Sequence, residues 1–328
     1  MELFIRKETK NNEFRTPLTP SDCRDLINKN FNIYIESSNE RCFSDKEYLE
    51  NGCSLTNIVP KNFTVIGLKE LDENSDFYQY KNIYFSHCFK NQINSEKILK
   101  KFKENGGKIL DYEYIVDNNN KRLIAFGFWA GFSGMYLGLL QYFHKINKKD
   151  ISNIKPCDDF NKLLNELKNI KINPKIVIIG VNGRCGKGCT YLLNKLNLNY
   201  TGFTKKDKID NLKNFEIIVN CIFLNANSKV CFINHKNFNE FKNLKIIVDI
   251  SCDIYAKNNP INIPYSLTSF SKPICKYKNI DIIAIDNLPT LLPKDSSKEF
   301  SNNLKNLLLN KNIWSNLENL YLSKIKNI

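Results

Sequence analysis

The chain has 328 residues, with 48 lysines and arginines against 34 acidic residues, a formal net charge of +14 and 42% hydrophobic residues. Such a length exceeds one ordinary core and implies two domains. No window approaches the roughly twenty apolar residues of a membrane span, the opening MELFIRKETK lacks the apolar stretch of a secretion signal, and the positive charge is spread along the chain rather than gathered into a nucleic-acid-binding stripe, so a cytoplasmic protein without membrane or nucleic-acid partners is expected.

Eleven cysteines, an odd number with no CxxC pair, argue against a disulfide framework and a zinc site, so no metal is expected and a reducing compartment is. Only six basic residues are arginine: Arg6, Arg15, Arg24, Arg41, Arg122 and Arg184. In a lysine-rich chain each is a candidate for the bidentate grip of carboxylate or phosphate that lysine performs poorly. Arg24 and Arg41 are read as surface charge.

The opening ELFIRKE can form a strand, and TPLTPSDCRDLINKN then carries a helix start, with Thr19 as cap, Pro20 in the first turn and Asp22 three residues after the cap. Apolar runs at FNIYIES, NFTVIGL, KNIYFSH and GKILDYEYI read as strands, with a helical SEKILKKFKENGG before the last. This alternation points to a parallel α/β domain. In RLIAFGFWAGFSGMYLGLLQYFHKI, Gly127, Gly131, Gly134 and Gly138 fall on one face of a helix, so something packs there more closely than side chains allow, either a helix between domains or a ligand. A polar linker around the short helix DFNKLLNELKNI follows.

From Lys175 the pattern restarts: KIVIIGVNGRCGKGCTYLLNKL runs from a buried strand through a glycine turn into a helix. That arrangement lets a pyrophosphate approach the backbone at the positive end of a helix. Gly180, Gly183, Gly186 and Gly188 are four of only 13 glycines. Their spacing departs from GxGxxG, so the turn alone is moderate support for a nucleotide site. Strands at FEIIVNCIFL, LKIIVDIS and IDIIAID complete a Rossmann-like unit, and the C-terminal stretch reads as helices that return to complete the first domain. The expected fold is α/β, two Rossmann-like domains with parallel sheets: residues 1–128 plus 293–328 form a substrate-binding, catalytic domain, and 129–292 a dinucleotide-binding domain.

RKETKNNEFRTPLTP, GLKEL, YFSHCFKNQ, RLIAFGFWAGFSG, GRCGKG, VNCIFL, DISCD and IDNLPTLLP fall in the order and spacing of the saccharopine dehydrogenases, which this chain resembles from near its first residue to its C-terminal helices. The opening alone is also similar to alanine dehydrogenase and to nicotinamide nucleotide transhydrogenase. The resemblance implies an active site in an interdomain cleft, NAD as cofactor, and oxidation of the secondary amine of saccharopine to an imine that water splits into lysine and 2-oxoglutarate. It also implies a place in lysine biosynthesis and a monomer whose partners are small molecules.

Such chemistry asks for two proton-handling groups. Lys69 and His87 match the family's catalytic positions, His87 serving imine hydrolysis, with Glu70 and Glu113 expected to set the charge balance. A lysine base needs burial or a cationic neighbour, and adjacent carboxylates oppose that shift. Arg15 and Arg122 match positions that hold substrate carboxylates, and Lys90, Phe126, Ser251, Cys252 and Asp253 match positions around the substrate. Gln92, Lys121, Gly183, Arg184, Phe223, Ile250, Ile285, Asp286, Asn287 and Leu288 match cofactor positions, and the glycine turn adds Gly180 and Gly186 to the candidate cofactor site. The chain has Lys121 where the family tends to a second arginine, and DNLP from Asp286 where it has DHLP. Where the family has a ribose-binding aspartate, this chain aligns Thr204, followed by Lys205 and Lys206, which would suit the extra phosphate of NADP; Asp207 is the alternative, and NAD is expected. Cys185 and Cys221, beside the nucleotide turn, are a candidate oxidation-sensitive pair. A sister dehydrogenase acting on alanine or an opine, or an inactive nucleotide-binding relative, remains open.

Overall fold

A computed structural model describes the chain apart from residues 90–93, 205, 208–211, 223–229, 257 and 327. Its first half runs β1 (Glu2–Ile5), α1 (Pro20–Ile27), β2 (Asn32–Ile35), α2 (Asp45–Glu50), β3 (Ser54–Leu55), β4 (Thr64–Ile66), β5 (Lys81–Tyr84), α3 (Ser95–Asn105), β6 (Lys108–Asp111) and α4 (Gly127–Ile146). Its second half runs α5 (Phe160–Lys168), β7 (Ile176–Ile179), α6 (Arg184–Lys195), β8 (Tyr200–Phe203), β9 (Ile217–Asn220), β10 (Ile233–Asn234), β11 (Ile246–Asp249), β12 (Ile261–Asn262), β13 (Cys275–Tyr277), β14 (Ile280–Ile283), α7 (Pro293–Leu308) and α8 (Lys311–Ile325). Two compact units result, one of Met1–Ala125 with Pro293–Ile328, the other of Phe126–Leu292. No helix among the described residues is long and apolar enough to cross a membrane.

In the first unit six strands lie in the order β3-β2-β1-β4-β5-β6, and every pair is parallel. A parallel sheet is covered on both faces, which is why every residue of β4 and all but the first of β1 are buried. Helix α1 starts where the sequence indicates: the Thr19 hydroxyl accepts the Asp22 N–H at 3.3 Å with Pro20 in the first turn. A capping box of Ser44 and Glu47 starts the short α2, which the sequence reading passed over. The last strand ends earlier than expected: GKILDYEYI is strand only through Asp111, whose carboxylate accepts the Glu113 N–H at 2.9 Å and starts a 3-10 turn over Tyr112–Tyr114. Arg41 is not surface charge. It is buried, donates to Asp45 at 2.6 Å and lies over the Tyr48 ring.

The second unit holds a six-stranded sheet in the order β13-β14-β11-β9-β7-β8, parallel except for the β13–β14 pair. All four residues of each of β7, β9, β11 and β14 are buried. The four glycines of α4 are explained by packing inside this unit. A Cβ on Gly131 would stand 2.6 Å from the Cys185 carbonyl carbon of α6, and one on Gly134 or Gly138 would press on Ile250 or Val248 at 2.9 or 2.7 Å. From the other side, a Cβ on Gly188 would stand 2.8 Å from the Phe132 nitrogen. Two helices therefore meet backbone to backbone behind the glycine turn, a packing role rather than a ligand role.

Candidate active site

In the first unit, the candidate residues gather at the carboxyl ends of neighbouring parallel strands, the edge at which open α/β sheets bind ligands. Lys69 and Glu70 follow β4, His87 follows β5, and Glu113 follows β6. Arg122 is bridged backbone to backbone with Val116, in the segment after Glu113. His87 lies between two carboxylates, its Nε2 3.6 Å from Glu70 and its Nδ1 3.7 Å from Glu113, while 44% of its side chain stays exposed to a reactant. The ring stacks on Phe85 at 6.4 Å between centroids. Its φ of +50° is left-handed; apart from asparagines, only His87, Lys148, Cys252 and Lys278 adopt such a φ among the described non-glycine residues. Two of these four are candidate site residues, and local backbone strain concentrates at functional sites.

Glu113 is buried and accepts from Arg122 Nη2 at 2.5 Å. Behind it, the buried Asp111 accepts from the Ser86 hydroxyl at 2.7 Å, tying the turn after β6 to the residue before His87. Burial pushes the Asp111 carboxyl above its usual range, despite the Glu113 N–H and the Ser86 hydroxyl. Arg15, 4% exposed, forks onto Glu13 with Nε at 2.7 Å and Nη2 at 2.5 Å. Burial would raise the Glu13 carboxyl, but the Arg15 charge and hydrogen bonds, together with the charge of Lys69, hold it below its usual range. The carboxylate that feels the Lys69 charge is thus that of Glu13, from the segment after β1. Lys121 is exposed, its N–H held by the Asp117 carboxylate at 2.9 Å. Lys90, Gln92, Phe223 and Lys205 lie outside the described residues.

The second unit shows a dinucleotide-type turn at the carboxyl end of β7. Gly180 has a φ of +92°, Gly183 caps α6 without a side chain over the helix end, and a Cβ on Gly186 would stand 2.5 Å from the Val181 carbonyl oxygen. Arg184 opens the helix. The backbone cradle that these glycines leave fits the pyrophosphate of NAD. Thr204 follows β8, and its N–H donates to the Asp207 carboxylate at 2.6 Å; hydrogen bonds from the Thr204 side chain and then from its N–H hold Asp207 below its usual range. Ile250, Ser251, Cys252 and Asp253 follow β11, and Ile285, Asp286, Asn287 and Leu288 follow β14, at the same sheet edge. The Ser251 hydroxyl donates to the buried Asp249 at 2.8 Å while Asn220 donates to both, at 2.8 Å to Asp249 and 3.0 Å to Ser251. Burial, then the charges of Asp249 and Asp286, raise the Asp253 carboxyl. Phe126 is the residue before α4.

All eleven cysteines are free thiols. The thiol against Cys221 is that of Cys189, at 3.8 Å. Burial lifts Cys185 to about 12, with Cys221 adding to the effect, so neither side of the expected pair is a ready thiolate. Glu13, Asp111 and Asn220 were not singled out in the sequence. The charged run from Arg6 to Arg15 was the only signal that could have drawn attention to Glu13.

Comparison with known proteins agrees with this architecture. Residues 4–133 match the model of the alanine dehydrogenase/PNT N-terminal domain and residues 169–324 that of its C-terminal domain. Among solved structures, an L-alanine dehydrogenase covers 98% of the chain and is itself 94% covered, with a TM-score of 0.72 and 14% identity. A transhydrogenase from Sinorhizobium meliloti gives a TM-score of 0.63 at 11% identity, over 94% of this chain and 93% of that one. These define the class as a two-unit fold of the alanine dehydrogenase and transhydrogenase type. Similarity in sequence is closer to one branch: a saccharopine dehydrogenase (NAD(+), L-lysine-forming) of Schizosaccharomyces pombe is 33% identical over 99% of both chains, and that of Candida glabrata is 34% identical over 92% of this chain and 89% of its own. The chain belongs to the saccharopine dehydrogenase family.

Proposed function

We propose that this chain is an NAD-dependent oxidoreductase acting on a CH–NH donor: it interconverts saccharopine with L-lysine and 2-oxoglutarate, the reaction named in its relatives. The observation that carries this reading is the cluster of Lys69, Glu70, His87, Glu113 and Arg122 after three neighbouring parallel strands, with Arg15 paired to Glu13, whose carboxylate also feels the Lys69 charge. Bound NAD would accept the hydride from the amine carbon, held by the glycine turn from Gly180 to Gly186. Lys69 takes the proton of the secondary amine as the carbon is oxidised. His87, half exposed between Glu70 and Glu113, then takes a proton from the attacking water and returns one to the departing lysine amine. Glu70 and Glu113 orient its ring and balance charge, while Arg122 and Arg15 offer guanidinium groups to substrate carboxylates.

Lys90, Phe126, Ser251, Cys252 and Asp253 complete the proposed substrate contacts, and Gln92, Lys121, Arg184, Phe223, Ile250, Ile285, Asp286, Asn287 and Leu288 those to the cofactor. NAD is preferred over NADP in this proposal because the Asp207 carboxylate, which accepts from the Thr204 N–H, adds negative charge just after β8, and an acid after the second strand of such a unit disfavours the 2′-phosphate of NADP. The eleven free thiols suit the cytoplasm, and we propose a monomer with a role in lysine biosynthesis. Incubation with lysine, 2-oxoglutarate and NADH, followed by mass spectrometry, tests the reading. Saccharopine as the product supports it; an opine formed from another amino acid, with no saccharopine, refutes it.

A further inference from the structure

Arg6 is one of the six arginines, and it is not among the residues matched above to substrate or cofactor positions. It follows β1 directly, is 2% exposed, and spends its guanidinium inside the protein. Nη2 donates to the Lys69 carbonyl oxygen, and Nη1 donates to Glu8 at 3.2 Å and to the Lys7 carbonyl at 3.1 Å. The Glu8 carboxylate accepts the next two backbone donors of the same turn, Leu68 N–H at 2.7 Å and Lys69 N–H at 3.0 Å. Both peptide faces of Lys69 are thus gripped by one ion pair, whose side chains are 2% and 4% exposed. Gly67 makes room for it: a Cβ there would stand 2.5 Å from Arg6 Cζ.

A buried ion pair is a weak source of stability, because desolvating two charges offsets their attraction. Burial indeed pushes the Glu8 carboxyl above its usual range, against the opposing charge of Arg6 and the two N–H donors. An apolar pair would fill the same space but could not hold a carbonyl and two N–H groups in fixed positions. We propose that Arg6 and Glu8 are positioning residues for the proposed base, holding the Lys69 backbone so that its amine meets the substrate nitrogen, and that Gly67 is retained to admit the guanidinium. This rests on the assignment of Lys69 above. A lysine in place of Arg6 supplies one point charge and cannot bridge a carbonyl and a carboxylate in a plane.

The test compares Glu8→Gln, Arg6→Lys and Gly67→Ala with Lys69→Met and with the double variant Lys69→Met/Glu8→Gln. For each, kcat, the KM for NADH and the thermal midpoint are measured with lysine and 2-oxoglutarate. A misplaced base loses roughly 10- to 100-fold in kcat, so Glu8→Gln and Arg6→Lys are expected to do so with an unchanged KM for NADH, and Glu8→Gln is expected to slow Lys69→Met no further. Wild-type kcat in both single variants overturns the proposal. So does a double variant whose losses multiply, since Glu8 would then act independently of Lys69. A purely structural role would lower the thermal midpoint and weaken NADH together with kcat, which also overturns it. Should both variants at the ion pair fail to fold, Gly67→Ala decides by the same comparison, because it leaves both charges in place. Full activity in Lys69→Met is a separate failure, that of the assignment of the base.

Discussion

Substituting Gly131 by alanine isolates the packing that sets the glycine turn. In a helix interior the change gains about 1 kcal/mol of helix propensity. Against this, the new methyl would stand 2.6 Å from the Cys185 carbonyl carbon and 2.8 Å from its Cα, both backbone atoms of α6 that no rotamer change can clear. Overpacking costs about 1–3 kcal/mol where side chains can yield, so the upper end applies here and the net loss is about 2 kcal/mol. For a unit of this size that lowers the thermal midpoint by about 4–8 °C. Helix α6 begins at the turn proposed to take the pyrophosphate, so the KM for NADH rises while the KM for lysine holds. Differential scanning calorimetry and initial rates would check both. A midpoint equal to or above that of the unsubstituted protein, with NADH affinity intact, would refute the argument that α4 and α6 meet through their backbones.

Arg15→Ala leaves Glu13 buried without its guanidinium, and a broken buried pair costs about 3–5 kcal/mol, so urea unfolding should show a loss of that order. The pH dependence of Glu13 has a definite sign. Its folded-state pKa lies below the ordinary 4.5, so the stability it contributes is present above that value and is lost as pH falls through the folded one. The midpoint gap between the unsubstituted protein and Glu13→Gln should therefore be open at neutral pH and close only as pH falls below 4.5 and through the lower folded-state value; a gap constant from neutral to acid pH would contradict it. Asp207→Ala should weaken NADH and narrow its advantage over NADPH, read from kcat/KM for each cofactor. Arg122→Ala should raise the KM of a carboxylate substrate and leave that of NADH alone, which initial rates at varied concentrations of each reactant would show.

Local pattern made much of the fold legible. Buried β-branched runs at IVII, IIVD and IDII, the Thr19–Pro20 helix start and the glycine turn each carry their signal within a few residues. Short elements such as α2, β10 and β12 gave too little periodicity to be read. The α4 glycines announced a close approach but not its partner, since the contact with α6 spans residues far apart in the chain. His87, Lys69, Glu70, Glu113 and Arg122 were identified through resemblance; the left-handed φ of His87 and its place between two carboxylates became visible only in three dimensions. Glu8, Glu13 and Asp111 went unnoticed for the same reason. Their roles depend on which backbone N–H groups and charges the folded sheet brings to them, and a carboxylate in a lysine-rich chain looks like surface charge until its burial is known.

The central claim is that His87 and Lys69 serve NAD-dependent chemistry on the lysine and 2-oxoglutarate pair. Loss of NADH absorbance with both substrates, beside a parallel NADPH reaction and a His87→Ala control, tests it most directly. The account expects oxidation of NADH that requires both lysine and 2-oxoglutarate, outpaces NADPH and collapses in the control. Folded protein that oxidises neither cofactor, or a His87→Ala variant as fast as the unsubstituted chain, would contradict it.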